Sequence, residues 1–292
     1  MNLAKMLLFS LVAAAMIAYT VSAVRAARRL PSRPLPSPLE LLIGVIINFL
    51  DALGIGSFAP TTALCKFLKL VADEDIPGTL NAGLTIGAVT ECLIYVTSIV
   101  VDPWLLLAMV VAAGAGAWIG AGIVARLPRR PIQIGMGIAL LIAGTIFVLM
   151  NLHLMPGGGT AMGLSGWRFA VAVGVNFALG ALMGVGIGNY APCMVTLALL
   201  GMHPIAAFPI MMGSCALLQP VASLRFFETG RFGWTMCLGL AFGGVAGVLI
   251  AAFLVKSLPL ETLRWLVIIV IAYASFAMLR SAAQPPAQVA AA

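Results

Sequence analysis

Charge is what this sequence has least of. Asp, Glu, Lys and Arg together make up 9% of its 292 residues, against about 25% in a soluble domain, and so few charges cannot cover a water-facing surface. Metal-ligand spacing is missing as well. The five cysteines, Cys65, Cys92, Cys193, Cys215 and Cys237, lie inside apolar runs with no C-x-x-C and no Cys/His pair, which argues against a disulfide framework and against any metal site. No P-loop is present, so ATP hydrolysis is not indicated, and no cofactor is expected. The long apolar runs lack the period-2 alternation of barrel strands, which removes the closed barrel. The formal charge of +7 is scattered over segment ends and forms no continuous basic face, so nucleic acid is not an expected partner.

What is present is hydrophobicity: 62% of residues, with a mean hydropathy of +1.13. Backbone amides in lipid must be satisfied within their own segment, so the expected fold class is an all-α integral membrane protein. A spanning helix needs about 20 apolar residues, and 4–24, 77–100, 104–125, 131–151, 204–226, 233–255 and 263–280 qualify. Residues 6–23 end on Val21-Ser22-Ala23 like a signal peptide, but Arg25, Arg28, Arg29 and Arg33 follow at once and favour a retained anchor with a cytoplasmic C-terminal end. Whether this helix is cleaved stays open. The Pro-rich stretch from Pro31 to Pro38 reads as a stiff linker.

Two more apolar stretches, 39–72 and 167–202, are interrupted near the middle by Gly and Pro. Each is either two helices or one broken hairpin. Positive charge selects the path. Arg25 to Arg33 and Arg126, Arg129 and Arg130 mark the cytoplasmic side, and the two spans between them already use two crossings, so 39–72 begins and ends inside. The same count makes 167–202 begin and end outside and puts Arg225, Arg231 and Arg280 inside; Lys256 and Arg264 are the discordant pair. The N-terminus is then external and the C-terminus cytoplasmic, in a bacterial cell inner membrane. Trp104, Trp167, Trp234 and Trp265 fall at span ends, as interfacial aromatics do.

Gly54-Ile55-Gly56-Ser57-Phe58-Ala59-Pro60 recurs as Gly186-Ile187-Gly188-Asn189-Tyr190-Ala191-Pro192, with five identities in seven. Downstream, Pro77 falls opposite Pro209, Gly116 opposite Gly247 and Leu127-Pro128 opposite Leu258-Pro259. The chain therefore divides into an anchor helix and linker (1–38), a first repeat (39–151), a second repeat (167–280) and a disordered tail (281–292). Each repeat is a broken hairpin plus three spanning helices. An odd number of crossings inverts the second repeat relative to the first, the plan of secondary transporters whose Gly/Pro breaks mark a site at the membrane midplane. Gly114, Gly116, Gly120 and Gly122, on an unbroken helix, read as packing residues.

The run Gly184-Val185-Gly186-Ile187-Gly188, then Pro192, Leu199-Leu200-Gly201-Met202-His203-Pro204, and Ala206-Ala207 leading to Gly213-Ser214 resembles the sulfite exporter TauE/SafE family. A looser copy runs from Gly54 to Pro60 and from Pro77 to Gly83, so the resemblance spans about 39–280 and leaves the first helix outside. It implies a non-enzymatic membrane transporter of small anions such as sulfite, sulfonates and related oxyanions. Residues 76–83 and 208–215 depart from the usual pattern where a substrate would be read, so substrate identity, direction and coupling ion stay open. A passive anion channel or uniporter is the alternative. An intramembrane sulfur-handling enzyme acting through Cys193 or Cys215 is a third reading. The partners expected are a small anionic substrate and membrane lipid; a homo-oligomer is left open.

Helix starts created by the two breaks attract anions, and glycine lets backbone approach a ligand. The candidate substrate-binding residues are Gly54, Gly56, Ser57, Asn81, Thr85, Gly186, Gly188, Asn189, Cys193, Ser214, Cys215 and Gln219. For each Ser and Thr the competing role is a bond to its own helix carbonyl; for Cys193 it is apolar filling. Asp51 and Glu91 are acids in apolar segments, where charge is costly, and they are candidates for proton coupling. Asp51 has an alternative structural partner in Lys66 or Lys69, whereas Glu91 has none evident in the sequence.

Overall fold

The computed structural model describes residues 3–155, 158–186, 188–254 and 260–283, with several side chains between 254 and 270 outside the description. The first helix, α1 (Leu3–Arg29), is followed by the Pro-rich linker and by α2 (Pro38–Ala52). The start of α2 is closed by a capping box: the Ser37 hydroxyl accepts from the Glu40 amide at 3.2 Å, and the Glu40 carboxylate accepts from the Ser37 amide at 2.7 Å. After a break comes α3 (Phe58–Leu68), then a 3₁₀ turn (Asp73–Asp75), α4 (Ile76–Ser98), α5 (Pro103–Val124) and α6 (Arg129–Asn151). The second set is α7 (Gly166–Met183), α8 (Tyr190–Leu199), α9 (Pro204–Thr229), α10 (Trp234–Leu249) running into a π segment (Ile250–Leu254), and α11 (Leu260–Ala283).

Seven helices among the described residues are long and apolar enough to cross a membrane: α1, α4 with its 3₁₀ turn, α5, α6, α7, α9 and α10 with its π segment. The number agrees with the sequence reading and the membership differs. The 18 residues of α7 suffice, although the sequence reading made it half of a hairpin; α11, with side chains outside the description, is not in the count. Of the residues expected to form a tail, 281–283 belong to the end of α11, and 284–292 lie outside the described residues. Lys256 and Leu258-Pro259 also fall outside, as does the side chain of Arg264.

Small residues set the packing. Gly44 of α2 lies against the backbone of Gly239 and Leu240 in α10, where Gly243 and Gly247 meet α2 in turn. In the same way Gly116 and Gly120 of α5 meet Phe177 and Ala181 of α7, and Gly180 meets Ala113. Backbones approach this closely only without a Cβ, so the packing role expected for Gly116 and Gly120 is observed. α4 crosses α9, α6 packs on α11, α4 also touches α10, and α9 also touches α5. Exchanging each helix of α2–α6 for its counterpart in α7–α11 turns the α2–α10 pair into α7–α5, and α4–α10 into α9–α5.

The ends of the bundle are tied by loops. At one end Asp73 accepts from Lys66 at 2.6 Å, Gln133 at 2.6 Å and Arg129 at 3.1 Å, and the Gly233 amide donates to Thr79 at 2.8 Å. At the other, the Asp102 amide donates to Met162 at 2.9 Å, the His203 amide to Ala161 at 2.8 Å, and Lys5 to the Val96 carbonyl at 2.7 Å. The start of α2, where Glu40 meets Gly239 beside the beginning of α10, and the end of α3, carrying Lys66, share the first end. The start of α7 and the end of α8 share the second, where Arg168 donates to Leu200 at 3.5 Å.

α1 is no detached anchor. Leu8 is fully buried, and the Tyr19 hydroxyl donates to Ala82 of α4 at 2.8 Å. Among the described residues large apolar side chains such as Ile123, Phe242 and Phe276 are exposed, and the apolar core also encloses polar side chains, among them Asn48, Asp51, Glu91, Asn176 and Gln219. Such an exterior suits lipid, and polar side chains in spanning segments belong inside the bundle.

Candidate functional site

The described parts of the two breaks share a left-handed glycine followed by a helix restart. Gly54 and Gly56 hold φ of +83° and +90°, and Gly186 holds +95°, a left-handed backbone that glycine adopts without a Cβ penalty. Each helix then restarts two residues before its proline: Phe58 before Pro60, Tyr190 before Pro192. Pro at the third helical position gives up an N–H that has no intrahelical acceptor there. The side chains of Ser57 and Asn189, in the N-cap positions, make no capping bond, which leaves the first amides of α3 and α8 for another acceptor.

The two restarts face each other. A Cβ added to Gly56 would lie 3.7 Å from that of Tyr190, and one added to Gly188 would lie 3.4 Å from that of Phe58. Between them is a cavity of about 30 Å³ bordered by Gly56, Ser57, Gly188, Asn189, Tyr190 and Cys215, with α6 closing one side through Phe147 and its neighbours. A space of this size holds one or two waters. Asn189 is 1% exposed, yet neither its Oδ1 nor its Nδ2 has a hydrogen-bond partner. Since an amide presents two donors and an acceptor with two lone pairs, a buried one with none engaged is rare and calls for an explanation.

Two acids stand behind the cavity. The Tyr190 hydroxyl donates to Glu91 Oε2 at 2.9 Å, joining α8 to α4, while Glu91 Oε1 is unpartnered. Ser57 is the polar neighbour of Asp51, whose Oδ1 is unpartnered. Asp51, Glu91 and Cys215 are close enough to interact electrostatically. Tyr95 donates to the Ala52 carbonyl at 2.7 Å and stacks on Phe208 with centroids 5.9 Å apart; Phe208 in turn covers Gly54. Among the described residues no Lys, Arg or His lines the cavity.

Two sequence expectations are corrected here. Glu91 does have a partner, Tyr190, which local reading missed because the two are 99 positions apart. Asp51 pairs with neither Lys66 nor Lys69: Lys66 is held by Asp73 at the basic end, and Ser57 is the neighbour of Asp51.

Of the candidate residues, the cavity brings together Gly56, Ser57, Gly188, Asn189 and Cys215, with Asp51 and Glu91 next to them. Gly54 and Gly186 shape the breaks without lining the cavity. Cys193, one turn into α8, is buried in the apolar core. Ser214 accepts from Asn176 at 2.9 Å, tying α9 to α7. Thr85 donates to the Asn81 carbonyl at 2.7 Å and Asn81 to that of Pro77 at 2.8 Å, the helix-internal bonding weighed for hydroxyls. Gln219 is buried outside the lining, with Oε1 unpartnered. The reading missed Tyr190, whose signal was a hydroxyl where the first repeat has Phe58; a buried phenol needs a partner. It also missed Asn48 and Asn176, amides that bond carbonyls of α10 and α5.

An apolar exterior and seven helices long and apolar enough to cross a membrane define a multi-pass membrane protein, with a small cavity where the two helix restarts meet. A family model described as Sulfite exporter TauE/SafE matches residues 2–147, half of the chain. The chain belongs to the TauE/SafE sulfite exporter family, a family of membrane transporters of sulfur anions. The match begins at residue 2, so it takes in α1, which the motif resemblance had left outside. No curated protein and no solved structure matches the chain.

Proposed function

We propose that the protein is a secondary transporter of a small organic or sulfur-containing anion (sulfite, a sulfonate or a related oxyanion) that works by alternating access around the cavity between Gly56 and Gly188. The observation that carries this reading is the convergence of two matched helix restarts on the unpartnered Asn189 amide. In this reading α2–α6 and α7–α11 are inverted repeats, which fits hairpins that open toward different ends, and rocking of one set against the other exposes the cavity to each side in turn. The basic end is cytoplasmic by the positive-inside rule, and the membrane is a bacterial inner membrane.

The chamber also supports proton coupling. Two carboxyl groups stand behind it and no cationic residue is among its described lining, so an anion enters at least cost when Asp51 and Glu91 carry protons. Substrate and proton would then travel together, with Glu91 as the exchanging group. The test is uptake of radiolabelled sulfite, thiosulfate and sulfonates into proteoliposomes. Saturable uptake with counterflow is expected for at least one of them; current that does not saturate would replace the carrier with a channel.

A further inference from the structure

A second concavity lies on the outside of the bundle, away from the chamber. It measures about 470 Å³ and runs between α1, α4 and α10, lined by Ala23 and Val24 of α1, Ile86 of α4 and Leu238 and Phe242 of α10. Its floor is a packed aromatic cluster in which Tyr19 meets Phe227 at 5.5 Å and Phe227 meets Phe232 at 5.1 Å. The volume falls within the roughly 300–1,000 Å³ of ligand sites, and its walls are largely apolar. At the basic end of the bundle this groove finishes at Arg28, Arg33 and Trp234, with no carboxylate among its described lining residues. Arg33 is fixed there because its Nε donates to the Ala27 carbonyl at 2.8 Å. The Trp234 indole N–H is a donor without a partner.

We infer that this groove binds an anionic phospholipid, with an acyl chain along the α1–α4–α10 channel and the phosphate on Arg28 and Arg33. Apolar walls facing the membrane take a lipid tail in place of water, and paired arginines at the end of a span meet a phosphate through charge-assisted hydrogen bonds. Trp at the same level suits the headgroup region. A free anion would use the arginines and leave the groove empty; a zwitterionic lipid would use the groove and gain little from the arginines. Both halves of the site together select an anionic lipid, as basic pockets between helices on the cytoplasmic side do. The site ties α1 to α10 and is independent of substrate identity.

The test is native mass spectrometry of the full-length protein with phosphatidylglycerol, phosphatidylcholine or inorganic phosphate. Phosphatidylglycerol should remain bound where phosphatidylcholine is lost, and Arg28→Gln with Arg33→Gln should lower its retention about thirtyfold, the effect of two arginines near a headgroup. Ala23→Phe, which keeps both charges and fills the groove, should also release the lipid. Equal retention of the two lipids, unchanged retention in the double variant, or a bound lipid in Ala23→Phe would each overturn the site. So would inorganic phosphate displacing phosphatidylglycerol.

Discussion

At the scale of single residues, Asn189 separates a structural role from a functional one. Its amide is buried and engages nothing, so it contributes the cost of a desolvated polar group, about 1–3 kcal/mol, and returns no packing advantage that leucine would lack. Asn189→Leu should therefore leave thermal stability unchanged or raise it while uptake falls at least tenfold; a lower melting temperature with normal uptake would show that the amide serves the fold. Glu91 poses the matching question for protons. Charge on an unpaired carboxylate in a spanning segment costs about 3 kcal/mol, and the single Tyr190 bond engages one of its oxygens. Glu91→Gln should keep exchange of substrate for substrate and lose uphill accumulation driven by a pH gradient. Wild-type values for both, measured in the same vesicles, would remove Glu91 as the coupling group.

At the scale of elements, the breaks and the glycine contacts look alike in sequence and differ in consequence. Gly188 has room for a Cβ 3.4 Å from Phe58, so Gly188→Leu should fold and insert while its side chain fills the cavity and stops transport. Gly120→Leu should do the reverse: its Cβ would run into the Ala181 backbone, and overpacking costs about 1–3 kcal/mol, visible as lower yield and melting temperature before any change in substrate affinity. Transport that survives in Gly188→Leu would move the binding site elsewhere. The breaks themselves were legible because Gly-x-Gly and Pro act within a few residues of chain, and their duplication singled them out. The pairing of Gly116 with Phe177 was not legible, since small residues announce a close neighbour without naming it. Nor was the bond from Tyr190 to Glu91: which helix α8 would face depends on the packing of α4 and α9, and no local pattern encodes that.

At the scale of the whole molecule, the loops assign themselves to ends. Asp73 draws the 3₁₀ turn, α3 and α6 together beside Arg129, and Thr79 brings in the α9–α10 turn; these are the segments that carry Lys66, Arg129 and Arg231. The opposite end is knitted by backbone bonds among Asp102, Met162, Ala161 and His203. Charge bias orients a membrane protein through such short basic loops, so the Asp73 end should face the cytoplasm and the Met162 end the outside. Arg130 and Ser165 are exposed at these two ends, and the five native cysteines are buried, so a single added thiol will dominate labelling. In intact cells a membrane-impermeant maleimide should modify Ser165→Cys and spare Arg130→Cys until the cells are opened. The reverse pattern would turn the molecule over, leave every internal contact in place, and make the two hairpins open to the opposite compartments.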